Sequence, residues 1–235
     1  MDLGFKDVHI LVTGMSCSVQ QTQLLRGNNG TGASGGIGLE TTRQFVGTRS
    51  PYEHRNLGVT DSCEYIAHGA RVTAHYNTNS TSLDGLIGES RADNIQKSQA
   101  DLGAEGDTIR MFGEINKGRF GPVQVVIVNH AIYVTEDVPL SQMSLGQWDR
   151  TINANLTSSF LVVREYLKGL EILGDDGAKD KAAIILVGST AGKYGESGHA
   201  DYSATKSGKL LSSGDFQRVL MGISHDVWPH DDAEE

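Results

Sequence analysis

Two residues in DYSATKSGKLL (201–211), Tyr202 and Lys206, have the types and the spacing to do chemistry. Four residues apart on a helix places them on one face, about one turn from each other. The lysine cation then favours the phenolate and lowers a phenol pKa ordinarily about 10, so that Tyr202 can hand a proton to a developing alkoxide. Taken alone, such a pair is a common feature of helix surfaces. Ser189 closes the apolar run AAIILVGS. At a strand terminus it can polarise a carbonyl by hydrogen bonding, or simply cap the next helix. A third candidate is TGASGGIG (31–38), whose small residues suit a strand-to-helix turn. Glycines there permit unusual backbone angles and let main-chain N–H groups approach a pyrophosphate. Glycine accounts for 29 of the 235 residues, so a plain flexible loop is the alternative at this point.

The elements that must position these residues are legible from periodicity. VHILV (8–12), VQVVIV (123–128) and AAIILVG (182–188) are nearly continuous apolar runs, as expected of strands buried on both faces of a parallel sheet. RVTAHY (71–76) alternates enough to be a fourth strand. Helical spacing follows the glycine loop in LETTRQFV, and continues over 201–211. A long helix is predicted over 141–171, with Leu145, Trp148, Ile152 and Leu156 at i, i+3 and i+4 intervals and Ser141 or Ser144 as N-cap. Strands alternating with helices predict an α/β fold, a Rossmann-like doubly wound parallel sheet in one domain over 1–235. Ligands of such a sheet bind at the carboxyl ends of its strands.

A net charge of −9 argues against nucleic-acid and anionic-membrane partners, which require basic surface. No apolar run approaches the roughly 20 residues of a membrane helix. The start MDLGFKDVHILV lacks a basic region before its apolar stretch, so a cytoplasmic location is expected. Cys17 and Cys63 then read as free thiols, and no metal site is expected.

Taken together, the motifs resemble a classical short-chain dehydrogenase/reductase. The family's TGxxxGxG is matched by Thr31, Gly32, Gly36 and Gly38, and its Asn-Asn-Ala-Gly loosely by Asn129-His130-Ala131-Ile132. Ser189 stands thirteen residues before Tyr202, and Tyr202-Ser203-Ala204-Thr205-Lys206 is the YxxxK motif. Asn155 in NLTSSF matches the family asparagine, and Asp101 in ADL the acid that commonly contacts the adenine. The elements stand in family order over residues 8–211.

The resemblance implies an NAD(P)-dependent hydride transfer between nicotinamide and a carbonyl or secondary alcohol. Ser189, Tyr202, Lys206 and Asn155 would be catalytic, with Lys206 also on the nicotinamide ribose and Asn155 holding a relay water. Gly32, Ser34, Gly36, Ile37, Gly38, Asn77, Asp101, Asn129, Ala131, Tyr202 and Lys206 would contact the cofactor. It also implies a small-molecule substrate and a homodimer or homotetramer. His130, in place of the usual asparagine, reads as a satisfied turn residue rather than a second base, and Asp101 can also be a solvated carboxylate at a strand end.

An acid at the end of the second strand would select NAD. Here Tyr76 or Asn77 occupies that place, which favours NADP, although no arginine is present to meet a 2′-phosphate.

Residues 15–32 and 47–66 fit no element. Deleting them restores VTGASGGIG and RQFVAHGARV, a normal strand, turn and helix. Codons for Gly14-Met15-Ser16 can contain the splice donor GTATGT, and those for Thr31-Gly32 an acceptor CAG. Retained intervening sequence is therefore the expectation, and genuine loop insertion its rival. The tail 212–235 departs from the family pattern, whose last strands are expected to be missing. A non-catalytic or defective nucleotide-binding remnant is the alternative function.

Overall fold

The computed structural model describes residues 6–14, 69–81, 83, 84, 87, 93–173 and 179–209. The segments 15–32 and 47–66, TGASGGIG, LETTRQFV, both cysteines and the tail 212–235 lie outside the described residues.

Five parallel strands form one sheet: β1 (His9–Val12), β2 (Arg71–Tyr76), β3 (Ile95–Gln99), β4 (Val125–Val128) and β5 (Ala183–Leu186), in the order β3-β2-β1-β4-β5. The order reverses direction between β1 and β4, the switch point at which doubly wound sheets open a crevice. Register makes the strand ends level there, Val12 pairing with Ala74 on one side and Ile127 on the other.

Helices α1 (Glu105–Lys117), α2 (Leu145–Ile152), α3 (Ser158–Ile172) and α4 (Thr190–Tyr194) follow, and α5 covers 200–209. The face of the sheet bearing Leu11, Val126 and Val128 packs on Met111, Phe112 and Ile115 of α1 and on Val162, Val163, Tyr166 and Leu170 of α3. The opposite face gathers Val8, Ile10, Val12, Val72, Ala74, Leu83 and Ile127. Full burial of such side chains contributes about 1.5–3 kcal/mol each, which holds the central strands as a rigid platform.

Expectation and structure part in three places. β1 and β4 are buried on both faces as their apolar runs predict, but β5 is only half-buried, with Ile185 45% exposed. The reason is position, since β5 is the outermost described strand on its side. The helix expected over 141–171 starts later, at Leu145, and widens part-way along its unbroken course to Ile172. A 3₁₀ turn (Leu140–Gln142) precedes α2, and a π-helical turn (Asn153–Thr157) joins α2 to α3. Of the two caps considered, Ser144 is the one used, its hydroxyl accepting from Gln147 N at 3.1 Å. Finally, β3 was not announced by any apolar run: of its five residues only Ile95 is buried.

Candidate active site

The carboxyl ends of the strands meet at Thr13-Gly14, where β1 enters its turn. Gly14 has φ +71°, and a Cβ on it would stand 2.5 Å from His130 Cα, so no other residue fits without moving β4's loop. Thr13 is fully buried, and its hydroxyl accepts from Asn129 N at 3.1 Å and donates to Ile127 O at 3.2 Å. The Asn129 amide donates to the carbonyls of Thr13 and Gly14, both at 3.2 Å. Thr13-Gly14, the first of the two Thr-Gly pairs in the sequence, packs against the loop that follows β4, and the second lies outside the described residues.

His130 is a turn residue with both ring nitrogens occupied: Nδ1 lies 2.8 Å from Thr13 Oγ1 and Nε2 2.7 Å from Ser158 Oγ. Loss of solvent, then the charge of Lys209, hold it well below the usual histidine range. His75, which the sequence did not single out, ties β2 into the same turn. Its Nε2 donates to Ala100 O at 2.9 Å and its Nδ1 accepts from Gly14 N at 3.3 Å. Burial pushes its pKa down to about 4. A histidine among the inward residues of the alternating run RVTAHY was the available signal.

Asn155 lies in the π-helical turn and is fully buried. Its Oδ1 accepts from Ile132 N at 2.7 Å and its Nδ2 donates to Ile132 O at 2.9 Å. The amide thus fixes the loop leaving β4 rather than lying open on a helix surface. Nδ2 is also 3.3 Å from Thr205 Oγ1, which itself donates to Tyr202 O at 2.7 Å. The side chain is thus carried inward from a widened turn, a feature frequent at functional sites.

Tyr202 and Lys206 lie on α5, as the i, i+4 spacing requires. Lys206 Nζ is 5.5 Å from the Tyr202 ring centroid and donates to Val187 O at 2.8 Å. Helices α4 and α5 approach closely here, for a Cβ on Gly192 would stand 2.7 Å from the Lys206 carbonyl carbon. Ser189 caps α4, accepting from Ala191 N at 3.2 Å. Its side chain also acts on the Tyr202 phenol, drawing the phenol pKa down. The electrostatics differ from the expectation of a lowered phenol pKa. Burial raises it, Ser189 opposes this, and Glu196 adds to the rise. Burial likewise lowers the Lys206 pKa. The ammonium stands over the ring face and gives a bond to a backbone carbonyl, and the desolvation of both groups outweighs its pull on the phenolate.

The remaining expected residues are distributed along the same edge. Asn77 follows β2, exposed, its carbonyl accepting from Gln99 Nε2 at 2.9 Å. Asp101 follows β3 with an exposed carboxylate whose Oδ1 accepts from Gly103 N at 3.0 Å. Ala131 stands half-buried in the loop after β4. Gly32, Ser34, Gly36, Ile37 and Gly38 lie outside the described residues. Asp201, Tyr133 and His199 are neighbours of Tyr202 that sequence reasoning passed over. The Tyr133 ring meets that of Tyr202 edge-on with centroids 5.0 Å apart, and its hydroxyl lies 2.8 Å from His199 Nε2.

The short chain dehydrogenase family profile matches residues 54–213. The chain belongs to that family. As a short chain dehydrogenase it is 30% identical over 159 residues to a 3-oxoacyl-[acyl-carrier-protein] reductase of Synechocystis sp., covering 66% of this chain and 60% of that protein. It is 32% identical over 109 residues to an acetoacetyl-CoA reductase of Allochromatium vinosum, covering 46% of this chain and 41% of the relative. The chain therefore spans less than two thirds of the length of these relatives. The fold is also that of a short-chain dehydrogenase/reductase (glucose/ribitol dehydrogenase) from Brucella melitensis, with a TM-score of 0.63 at 21% identity over 94% of this chain and 72% of that one. Serine dehydrogenase from Escherichia coli gives the same score at 18% identity, over 90% of this chain and 75% of that one.

The loop of Asn129 and Ala131 borders the crevice at the switch point, the place where a doubly wound sheet takes its ligand. Among the described residues no group of histidines, cysteines and carboxylates could hold a metal ion, and no helix is long and apolar enough to cross a membrane.

Proposed function

We propose that this short chain dehydrogenase is an NAD(P)-dependent oxidoreductase that interconverts a carbonyl compound and a secondary alcohol. The observation that carries the reading is the convergence of Ser189, Tyr202 and Lys206 beside the loop that Asn155 fixes, at the carboxyl edge of β4 and β5. A bound nicotinamide would supply the hydride. The chain's own residues would do the rest. The Ser189 hydroxyl, free to rotate about its Cβ–O bond, would donate to the substrate carbonyl oxygen and polarise it. The Tyr202 phenol, held protonated by burial, would give its proton to that oxygen as charge develops on it. Lys206, shielded from solvent behind Tyr202, would supply positive charge next to the phenolate that remains and hold the ribose hydroxyls. Asn155 would keep the loop after β4 at the distance this requires, and by family resemblance a relay water beside it.

NADP is the preferred form of the cofactor in this reading, since Asn77 at the end of β2 carries no charge to repel a 2′-phosphate. Asp101 would lie at the adenine. Substrates would be small carbonyl compounds, the location cytoplasmic, and the assembly a homodimer or homotetramer.

The test is a titration of NADPH and of NADH followed by fluorescence, with turnover of a carbonyl panel and the Tyr202→Phe variant alongside. Binding of NADPH ahead of NADH, with turnover that falls at least about 10²-fold in Tyr202→Phe at unchanged affinity, is expected. Absence of binding at millimolar cofactor would sink the enzyme reading and leave the defective-remnant reading standing.

A further inference from the structure

Asp201 is a carboxylate left with 1% of its surface exposed, immediately before Tyr202 and in the first turn of α5. Burying an ion is costly unless its oxygens are bonded, and both of these are. Oδ2 accepts from Thr151 Oγ1 at 2.7 Å and from Gln147 Nε2 at 3.2 Å, both on α2. Oδ1 accepts from the Tyr202 backbone N–H at 2.8 Å. The other side of the same residue is held in a matching way, because Tyr202 O accepts from Thr205 Oγ1 and that hydroxyl is reached by Asn155. The backbone N–H and C=O of Tyr202 are thus both fixed by side chains whose partners stand on α2 and its π-helical turn. We propose that Asp201 is a positioning residue for Tyr202, locking its main chain to α2 so that the phenol and the loop carried by Asn155 keep a fixed separation. The proposal rests on Tyr202 being the proton donor.

The physical case is one of geometry. A carboxylate at a helix N-terminus is favourable on any helix, but one that also receives two side-chain donors from a second helix sets the helix–helix distance at that point. Catalytic geometry is sensitive to displacements of about 1 Å, which can cost about 10²-fold in rate. Removing the carboxylate frees the start of α5 and leaves the buried Thr151 hydroxyl and Gln147 amide without their acceptor.

Asp201→Ala, Asp201→Asn and Thr151→Val are compared with the parent, and Tyr166→Phe serves as a control that loses a buried bond to Gln124 O far from the site. Asp201→Ala is expected to lower kcat about 10-fold or more, with the cofactor Kd within about 2-fold. Asp201→Asn, which keeps an acceptor for Tyr202 N–H, is expected to regain most of that loss, and Tyr166→Phe to melt earlier with parental kcat. The Tyr202 amide should exchange its hydrogen about 10-fold faster in Asp201→Ala than in the parent, a reading that needs no turnover. If Asp201→Ala does not fold, Thr151→Val decides, with a several-fold loss of kcat and faster Tyr202 exchange expected. Parental kcat and parental Tyr202 protection in the deciding variant would overturn the proposal. Parental activity in Tyr202→Phe would instead overturn the donor assignment, and leave the exchange measurement to judge Asp201.

Discussion

Along the single helical segment 145–172, the inward face changes character half-way. Toward the site it is Thr151, Asn155, Ser158 and Ser159; away from it, Val162, Val163, Tyr166 and Leu170. The first group faces α5 and the loop after β4 through directional bonds: Thr151 to Asp201, Asn155 to Ile132, Ser158 to His130. The second packs on β4 and α1 by apolar contact, the Tyr166 bond to Gln124 O being its directional element. Hydrogen bonds contribute only about 1 kcal/mol net but cost more if left unmade, so the polar half fixes geometry while the apolar half supplies stability. One helix anchors the fold at one end and spaces the catalytic groups at the other.

Three experiments can break or sharpen that division. The largest effect is expected from acid. His9 and His75 have pKa values lowered to about 4 by burial, His9 being further bonded to Gly121 O and Thr73 Oγ1. Their neutral forms are the native ones, so the unfolded chain binds protons first as pH falls below about 6.5. The stability they contribute is complete above that value and is lost as pH falls towards 4, by about 3 kcal/mol per ring. Chemical denaturation across this window should show the slope, and His75→Gln should flatten it. A protonated His75 Nδ1 would also confront the Gly14 N–H, so the turn at β1 should loosen before the sheet does.

Leu170→Ala comes next. It removes a fully buried side chain from the apolar half and should cost about 2–5 kcal/mol by thermal or urea melting, with kcat per folded molecule unchanged. Asn155→Ala should cost less stability, about 1–3 kcal/mol, because it strands the Ile132 N–H and C=O. Its kcat should nonetheless fall well below that of Leu170→Ala. Equal kcat in the two variants, measured where both are folded, would erase the distinction between the halves.

Much of this was readable in the residues. The runs at 8–12, 123–128 and 182–188 named three strands because continuous apolar sequence has few other uses in a parallel sheet, and RVTAHY matched β2 residue for residue. Ser144 was legible only as one of two possible caps, beside Ser141, and the structure uses it. β3 was not, since IQKSQ lies at the sheet edge and needs only one buried side chain. The helix showed a regular apolar stripe at Leu145, Trp148, Ile152 and Leu156, yet Leu145 is 72% exposed and the others are half-buried. Its buried face is polar, because what it meets near the site is the polar start of α5. Periodicity reports which residues share a face, and says nothing of what that face will touch.

By itself the sequence determined the family, four of the five strands in their order, and the residue types that could move a proton, all of which depend on local spacing and composition. Tertiary structure alone decided that Thr13-Gly14 packs against the loop that follows β4, that Asn155 spends its amide on Ile132, and that Asp201 holds Tyr202 to α2. These contacts join residues 23 to 117 positions apart, apart from the short link from Asp201 to Tyr202 itself. Their bonds form only when strands and helices are already packed, and no pattern within one segment can encode the distance between two.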